Sequence, residues 1–291
     1  MKLIESKAEY LPQSSGLEGV YKQIELAGRT CYKSEDKITE DSAKGFVDRM
    51  IASKHLSMLE HGTVYLYYKS IGREALPFFN SPYVKINTEL GKEVGSNGEP
   101  VYEIFVTTNL RFIEENNLQR HLQFICEPTK YHEKRYTFKL TTSIGVTREL
   151  NRHRVHSIAE QSTRYCNFSK DKFDNQVSFC IPEWVDRNRE SNTVGELGWL
   201  ASVRYAERNY LDLIKEGWQP QQAREVLPLC TATEIVHTAF ASDWRHFFGL
   251  RLFEKTGKVH PNMKQLAKLM KEEAEKAGIY EDIMNHPSKF E

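Results

Sequence analysis

The alternation of apolar and polar positions divides the chain into a first half of strands and short helices and a second half that is mostly helical. Leu17, Val20, Tyr21 and Ile24 recur at helical spacing after paired serines, and Gly28 reads as the stop of that helix. Ala43, Phe46, Val47, Met50 and Ile51 form the inner face of a second helix, with Thr39 as its expected N-cap. The alternating run TVYLYYK predicts a strand over 63–69, and VYEIFVTT and RYTFKLTT predict two more. Residues 70–100 read as irregular, with GKEVGSNGEP as a loop signal, and 109–126 read as two short helices.

A short helix is expected from Gly145 towards Arg152. Trp199, Val203, Ala206, Tyr210, Leu213 and Ile214 line one face of a long helix ending at Gly217, and Pro220 opens another. TATEIVHTAF is rich in β-formers and reads as a strand, although Thr231 and Glu234 also have capping-box spacing. Asp243 is the expected cap of WRHFFGLRLF, and 262–277 reads as a last amphipathic helix before Gly278. The sum is an α+β fold, a mainly antiparallel sheet with helices packed on it. With no repeat and no linker, 1–291 reads as a single domain.

Composition narrows the partners. Forty basic residues balance forty acidic ones, so no long-range field draws a nucleic-acid backbone, and an anionic ligand has to be held by a local cluster. No apolar run reaches the roughly 18 residues of a membrane span, and MKLIESKAEY turns polar too early for a signal peptide. The five cysteines are scattered without a CxxC pair, which fits reduced thiols in a cytoplasmic protein and no metal site.

The chemistry concentrates in ELNRHRVHSIAEQSTRYCNF, residues 149–168. Arg152, His153 and Arg154 are followed after seven residues by Ser162, then Arg164 and Tyr165. Arginine forks hold phosphates and ring carbonyls in fixed geometry, and a serine hydroxyl adds a short donor. A bare RHR triplet is as readily a solvated turn. The longer pattern, RHR-x7-S continuing as S-x-R-Y, resembles the signature of flavin-dependent thymidylate synthases. Other segments resemble that family in the expected order: AGRTCYKS near the amino end, HLSMLEHGTVYL with His61, AREVLP with Arg224, and FFGLR with Arg251.

The resemblance implies methylation of dUMP to dTMP. Methylenetetrahydrofolate would supply the carbon, and FAD reduced by NADPH the hydride. It implies Ser162, Arg164 and Arg224 at the dUMP phosphate, and Glu149, Glu160 and Arg251 at the nucleoside and ring, with Arg251 and Glu160 nearest the chemistry. His61, Arg152, His153, Arg154 and His246 fall on the FAD and folate side. A homotetramer with active sites between subunits is likewise implied. The chain departs from the family in carrying His246 where an asparagine is common, and LFEKTGKVHPN after Arg251. Residues around 69–140 read as an insertion. The departures leave a catalytically inactive nucleotide-binding homologue as the alternative. An RNA-binding module is disfavoured by the neutral charge. No cysteine sits in the Pro-Cys context of the thiol-dependent thymidylate synthases, and Ser162 has no recognisable base partner for a nucleophilic role.

Overall fold

The computed structural model describes residues 1–71, 78, 81–185 and 193–287. Among them the strands are β1 (Lys2–Ile4), β2 (Lys7–Tyr10), β3 (Thr63–Ile71), β4 (Lys85–Val94), β5 (Pro100–Asn109), β6 (Arg135–Ser143), β7 (Ser157–Glu160), β8 (Ser178–Cys180) and β9 (Ala232–Phe240). The helices are α1 (Gly16–Tyr32), α2 (Ser42–Ala52), α3 (Leu110–Glu115), α4 (Ile144–Leu150), α5 (Val194–Lys215), α6 (Pro220–Ala223), α7 (Ala241–Arg251), α8 (Pro261–Lys276) and α9 (Tyr280–Met284).

A four-stranded antiparallel sheet in the order β2-β6-β9-β7 organises the molecule. Its register sets Phe138 against His237 and Leu140 against Ile235. Because side chains alternate along β9, Ile235, His237 and Ala239 share one face, and Val236 and Thr238 the other. On the first face Phe138, Leu140 and Ile235 pack against Trp244, Phe247 and Phe248 of α7 and Met263, Leu266 and Met270 of α8. On the second, Ala159 and Val236 meet Ala27 of α1. The sheet therefore separates an α1 layer from an α7/α8 layer.

A three-stranded antiparallel sheet, β3-β5-β4, adjoins this core and shares a hydrophobic cluster with α1, α2 and α3. It covers much of the segment read as an insertion. The expected α+β class, antiparallel in both larger sheets, is what the structure shows, with the short β1–β8 pair parallel.

Several boundaries differ from the sequence reading. α1 runs through Gly28 to Tyr32: a Cβ at Gly28 would stand 2.4 Å from Cζ of Phe46, so that glycine serves close packing with α2, not termination. Asp41, not Thr39, precedes α2, and the Ser42 hydroxyl accepts from the Thr39 amide at 2.9 Å. Within 70–100, the expected irregular stretch holds the strand β4, with a register irregularity between Leu90 and Val94, and turns at Ser81–Val84 and Gly95–Gly98; 72–77 and 79–80 lie outside the described residues. Asp243 is buried in the first turn of α7, whose N-cap is Phe240. Thr231 precedes a strand, so the capping-box alternative falls. Among the described residues no helix is long and apolar enough to cross a membrane.

Candidate active site

Helix α4 connects the two groups of candidate residues. It opens on Ser143, whose hydroxyl accepts from the Val146 amide at 3.4 Å, and ends before the RHR turn. Around a helix at 100° per residue, Thr147 and Glu149 point in nearly opposite directions. Thr147 is buried, its hydroxyl donating to the Ile144 carbonyl at 3.0 Å. Glu149 instead turns to Arg251 at the end of α7.

The Glu149 group is compact. Arg251 Nη1 donates to Glu149 Oε2 at 2.7 Å, Nη2 to the Glu149 carbonyl at 3.2 Å, and Nε to His153 Nε2 at 3.1 Å. His153 Nε2 is therefore an acceptor, and the neutral ring carries its proton on Nδ1. His246 stands 6.4 Å from the His153 ring, centroid to centroid. Arg152 and Arg154 flank the buried His153 and are exposed. The turn is tight: Val155 has φ 69°, a left-handed conformation that a β-branched residue adopts only under strain from its surroundings.

The second group lies on the α1 side. The Ser162 amide donates to the Cys31 carbonyl at 2.8 Å, and the Ser162 carbonyl accepts from the amides of Tyr165 and Cys166. Its hydroxyl accepts from the Arg164 amide at 3.3 Å. Arg224 Nη1 donates to the Thr163 hydroxyl at 3.0 Å. The Arg164 guanidinium lies 5.4 Å over the Tyr165 ring. Ser162, Arg164 and Arg224 thus gather around Thr163, which the sequence reading did not single out. Glu160 sits near this group in sequence, and burial raises its pKa.

The residues assigned to the flavin are not brought together in one chain. His61 lies on the α1 side of the sheet and is fully buried. Its Nδ1 is 2.9 Å from the Thr238 hydroxyl, and its Nε2 has no partner among the described residues. No atom of the ring is open to a ligand in this arrangement, so contact with a flavin requires the turn at 56–61 to move. An unpartnered buried nitrogen is nevertheless the kind of atom a bound polar group satisfies. His153 and His246 stand in the α7 layer, across the sheet. Two further histidines, unnoticed in the sequence, join them: His156 Nδ1 lies 2.6 Å from His237 Nε2, and both rings pack on Trp244. A signal was present, because His237 alternates with Ile235 and Ala239 on an apolar face of β9.

Burial also sets an acid limit. The His61 pKa is lowered from 6.5 to about 3 by desolvation, with the Arg135 charge adding to the effect. A folded ring that stays neutral while the unfolded one protonates contributes its full stability above pH 6.5, and loses it as pH falls towards 3. At pH 5 the expected loss from this ring is about 2 kcal/mol, at 1.36 kcal/mol per pH unit. Urea unfolding at pH 7 and pH 5 measures it. His61→Gln, which does not titrate, should remove close to one proton from the slope, and an unchanged slope contradicts the account.

A cavity of about 960 Å³ opens beside α4. Gly145, Val146 and Glu149 line it with Pro182, Trp184, Trp199, Leu229 and His260. Its size falls in the range of small-molecule sites. Arg224 is five residues from Leu229 along the chain, so one segment runs from the Thr163 group to the cavity wall. Among the described residues no group of three His, Cys, Asp or Glu could hold a metal ion.

Comparison with known proteins gives this geometry a family. The family described as thymidylate synthase complementing protein matches residues 128–277. A flavin-dependent thymidylate synthase of Pyrococcus furiosus is 29% identical over 153 residues, covering 51% of this chain and 60% of that protein. The chain therefore spans less than two thirds of that relative. One from Mycolicibacterium vanbaalenii is 24% identical over 255 residues, covering 84% of this chain and 72% of that protein. A solved UMP/dUMP methylase, PolB from Streptomyces cacaoi bound with 5-Br dUMP, aligns over 97% of this chain and 96% of that one, with a TM-score of 0.45 and 18% identity. The matched stretch holds β6, β9, the RHR turn, the Thr163 group and Arg251, and on that match the chain belongs to the thymidylate synthase complementing protein family.

Proposed function

We propose that this protein methylates dUMP to dTMP as a flavin-dependent thymidylate synthase, with each active site assembled from two chains of a homotetramer. The observation that carries the reading is the division of the candidate residues by α4 and the central sheet. Ser162, Arg164 and Arg224 form a phosphate-holding half on one side. Glu149, His153 and Arg251 form a ring-holding half on the other. A nucleotide bridging such halves takes one from each of two copies, as an isologous contact allows. With the turn at 56–61 moved, it would also let His61 of one chain and His153 of another serve a common flavin.

The protein's share of the chemistry is binding, orientation and electrostatics. FAD, reduced by NADPH, supplies the hydride that completes the methyl group drawn from methylenetetrahydrofolate. Arg152 and Arg154, exposed on the strained turn, would hold the flavin together with His153 and His246. Arg164, Arg224 and the Ser162 hydroxyl hold the phosphate. Glu160 stays protonated to higher pH than an exposed carboxyl and sits where it can donate a hydrogen bond towards the nucleoside. The insertion around 69–140, which carries β4 and β5 of the three-stranded sheet, is proposed as an excursion of the same single domain.

No thiol is used. Burial raises the Cys31 pKa to about 11 and that of Cys180 to about 12, and raises the other three as well. Thiols so protonated are poor nucleophiles. A cysteine-free variant that folds and binds flavin is expected to form dTMP in a single turnover from pre-reduced flavin. Loss of product with flavin content intact contradicts the mechanism.

His246 and the segment after Arg251 support a second reading, a nucleotide-binding homologue without catalysis. The deciding experiment incubates the purified protein with dUMP, methylenetetrahydrofolate, FAD and NADPH and measures dTMP. A colourless protein that binds dUMP but makes no dTMP supports the second reading over the first.

A further inference from the structure

We infer that His237 is a positioning residue for the RHR turn: its hydrogen bond to His156 ties that turn to β9. The consequence for flavin binding rests on the flavin-dependent reading above. Inside the turn, backbone amides reach carbonyls two or three residues back, from Arg152 to Glu149, His153 to Leu150, Arg154 to Arg152, and His156 to His153 and Arg154. Val155 holds φ at 69°, a conformation that persists where the surroundings over-determine it. The side chain after Val155 meets that need. His156 Nδ1 lies 2.6 Å from His237 Nε2, and its ring stands 5.1 Å from that of Trp244. The turn is thereby anchored to an inner strand of the four-stranded sheet.

Burial decides which nitrogen of His237 carries the proton. The ring is fully buried, and its Nδ1 has no partner among the described residues. A proton there would leave an orphaned N–H beside the ring of Trp244, and orphaned buried donors are rarer than orphaned acceptors. The proton therefore sits on Nε2, which donates to His156 Nδ1. Burial holds the His237 pKa well below 6.5, the charges of His153 and His61 adding to the effect. The ring is neutral, and each nitrogen keeps one role. His153, 5.4 Å from the His156 ring, is steadied in turn as the acceptor of Arg251 Nε. One donor on β9 thus sets both the exposed Arg152 and Arg154 and the buried His153 between them.

The test compares His237→Phe, which keeps an aromatic ring and loses the donor, with His237→Gln, whose amide N–H can replace Nε2–H. Hydrogen exchange at residues 152–156 of the intact protein is followed by mass spectrometry, and FAD affinity by titration. His237→Phe should speed exchange in the turn and weaken FAD binding, each by roughly tenfold. His237→Gln should bring both back to within about threefold of wild type. His156→Phe breaks the same bond from the half-buried side and carries the same expectation should His237→Phe fail to fold. In the His156→Phe background, His237→Phe should add nothing further. Wild-type exchange in both Phe variants overturns the positioning role, and so does a loss in His237→Gln equal to that in His237→Phe. A wild-type protein that binds no FAD overturns the flavin reading alone, since faster exchange in His237→Phe with recovery in His237→Gln still supports the positioning.

Discussion

Mixing Arg251→Ala protein with Arg164→Ala protein is expected to raise dTMP formation to about a quarter of the wild-type level, well above what either variant shows alone. Each substitution removes a charge-assisted contact of about 1.5–3 kcal/mol, so each variant alone should lose roughly tenfold to a hundredfold in kcat/KM. Arg251→Ala keeps the Thr163 group intact, and Arg164→Ala keeps the Glu149 group intact. If a site draws one half from each of two chains, random exchange of the two variants makes about a quarter of the sites whole. Recovery at that level, with subunit exchange followed by mass spectrometry of tagged chains, supports the shared site. Full exchange without recovery means that both halves act within one chain, and the proposed assembly is then wrong.

The same division explains what the sequence could and could not convey. Elements with strong local signals were legible: the alternation of TVYLYYK and VYEIFVTT gave β3 and β5, and the apolar face from Trp199 to Ile214 gave most of α5. Gly28 misled because its local meaning, a helix stop, yielded to a tertiary one, the close passage of Phe46. β4 was hidden because Lys85–Val94 is polar on its exposed face and carries Gly91, features that locally read as loop.

At the site, motif spacing named residues but not their neighbours. Arg251 and Glu149 are 102 positions apart and Arg224 and Thr163 are 61 apart, so their pairing depends on how β9 lies between β6 and β7. Nor does spacing report which side of a sheet a residue occupies. His61 and His153 were grouped by resemblance, whereas the fold sets them on opposite faces of the four-stranded sheet. Their common use then demands a second chain together with a moved turn at 56–61.

Trp244 is the residue on which the ring-holding half stands, and Trp244→Ala is expected to destabilise the protein by about 3–5 kcal/mol, the range for removing a large aromatic from a core. The side chain is fully buried. Its Nε1 donates to the Tyr136 carbonyl at 3.0 Å, and its ring packs edge-on against Phe138 and Phe247. Truncation leaves a cavity between the sheet and α7 and an unpaired carbonyl on β6. It also removes the surface against which His156 and His237 rest. His153 lies beside both His156 and Phe247, so the slackening should reach the acceptor that orients Arg251. Trp244→Phe keeps most of the volume and loses the indole donor, and should lose much less stability while keeping dUMP affinity. Urea midpoints and dUMP titrations of the two variants check this. The packing account fails if Trp244→Ala unfolds near the wild-type midpoint. The link to the site fails if a folded fraction of that variant binds dUMP as tightly as Trp244→Phe does.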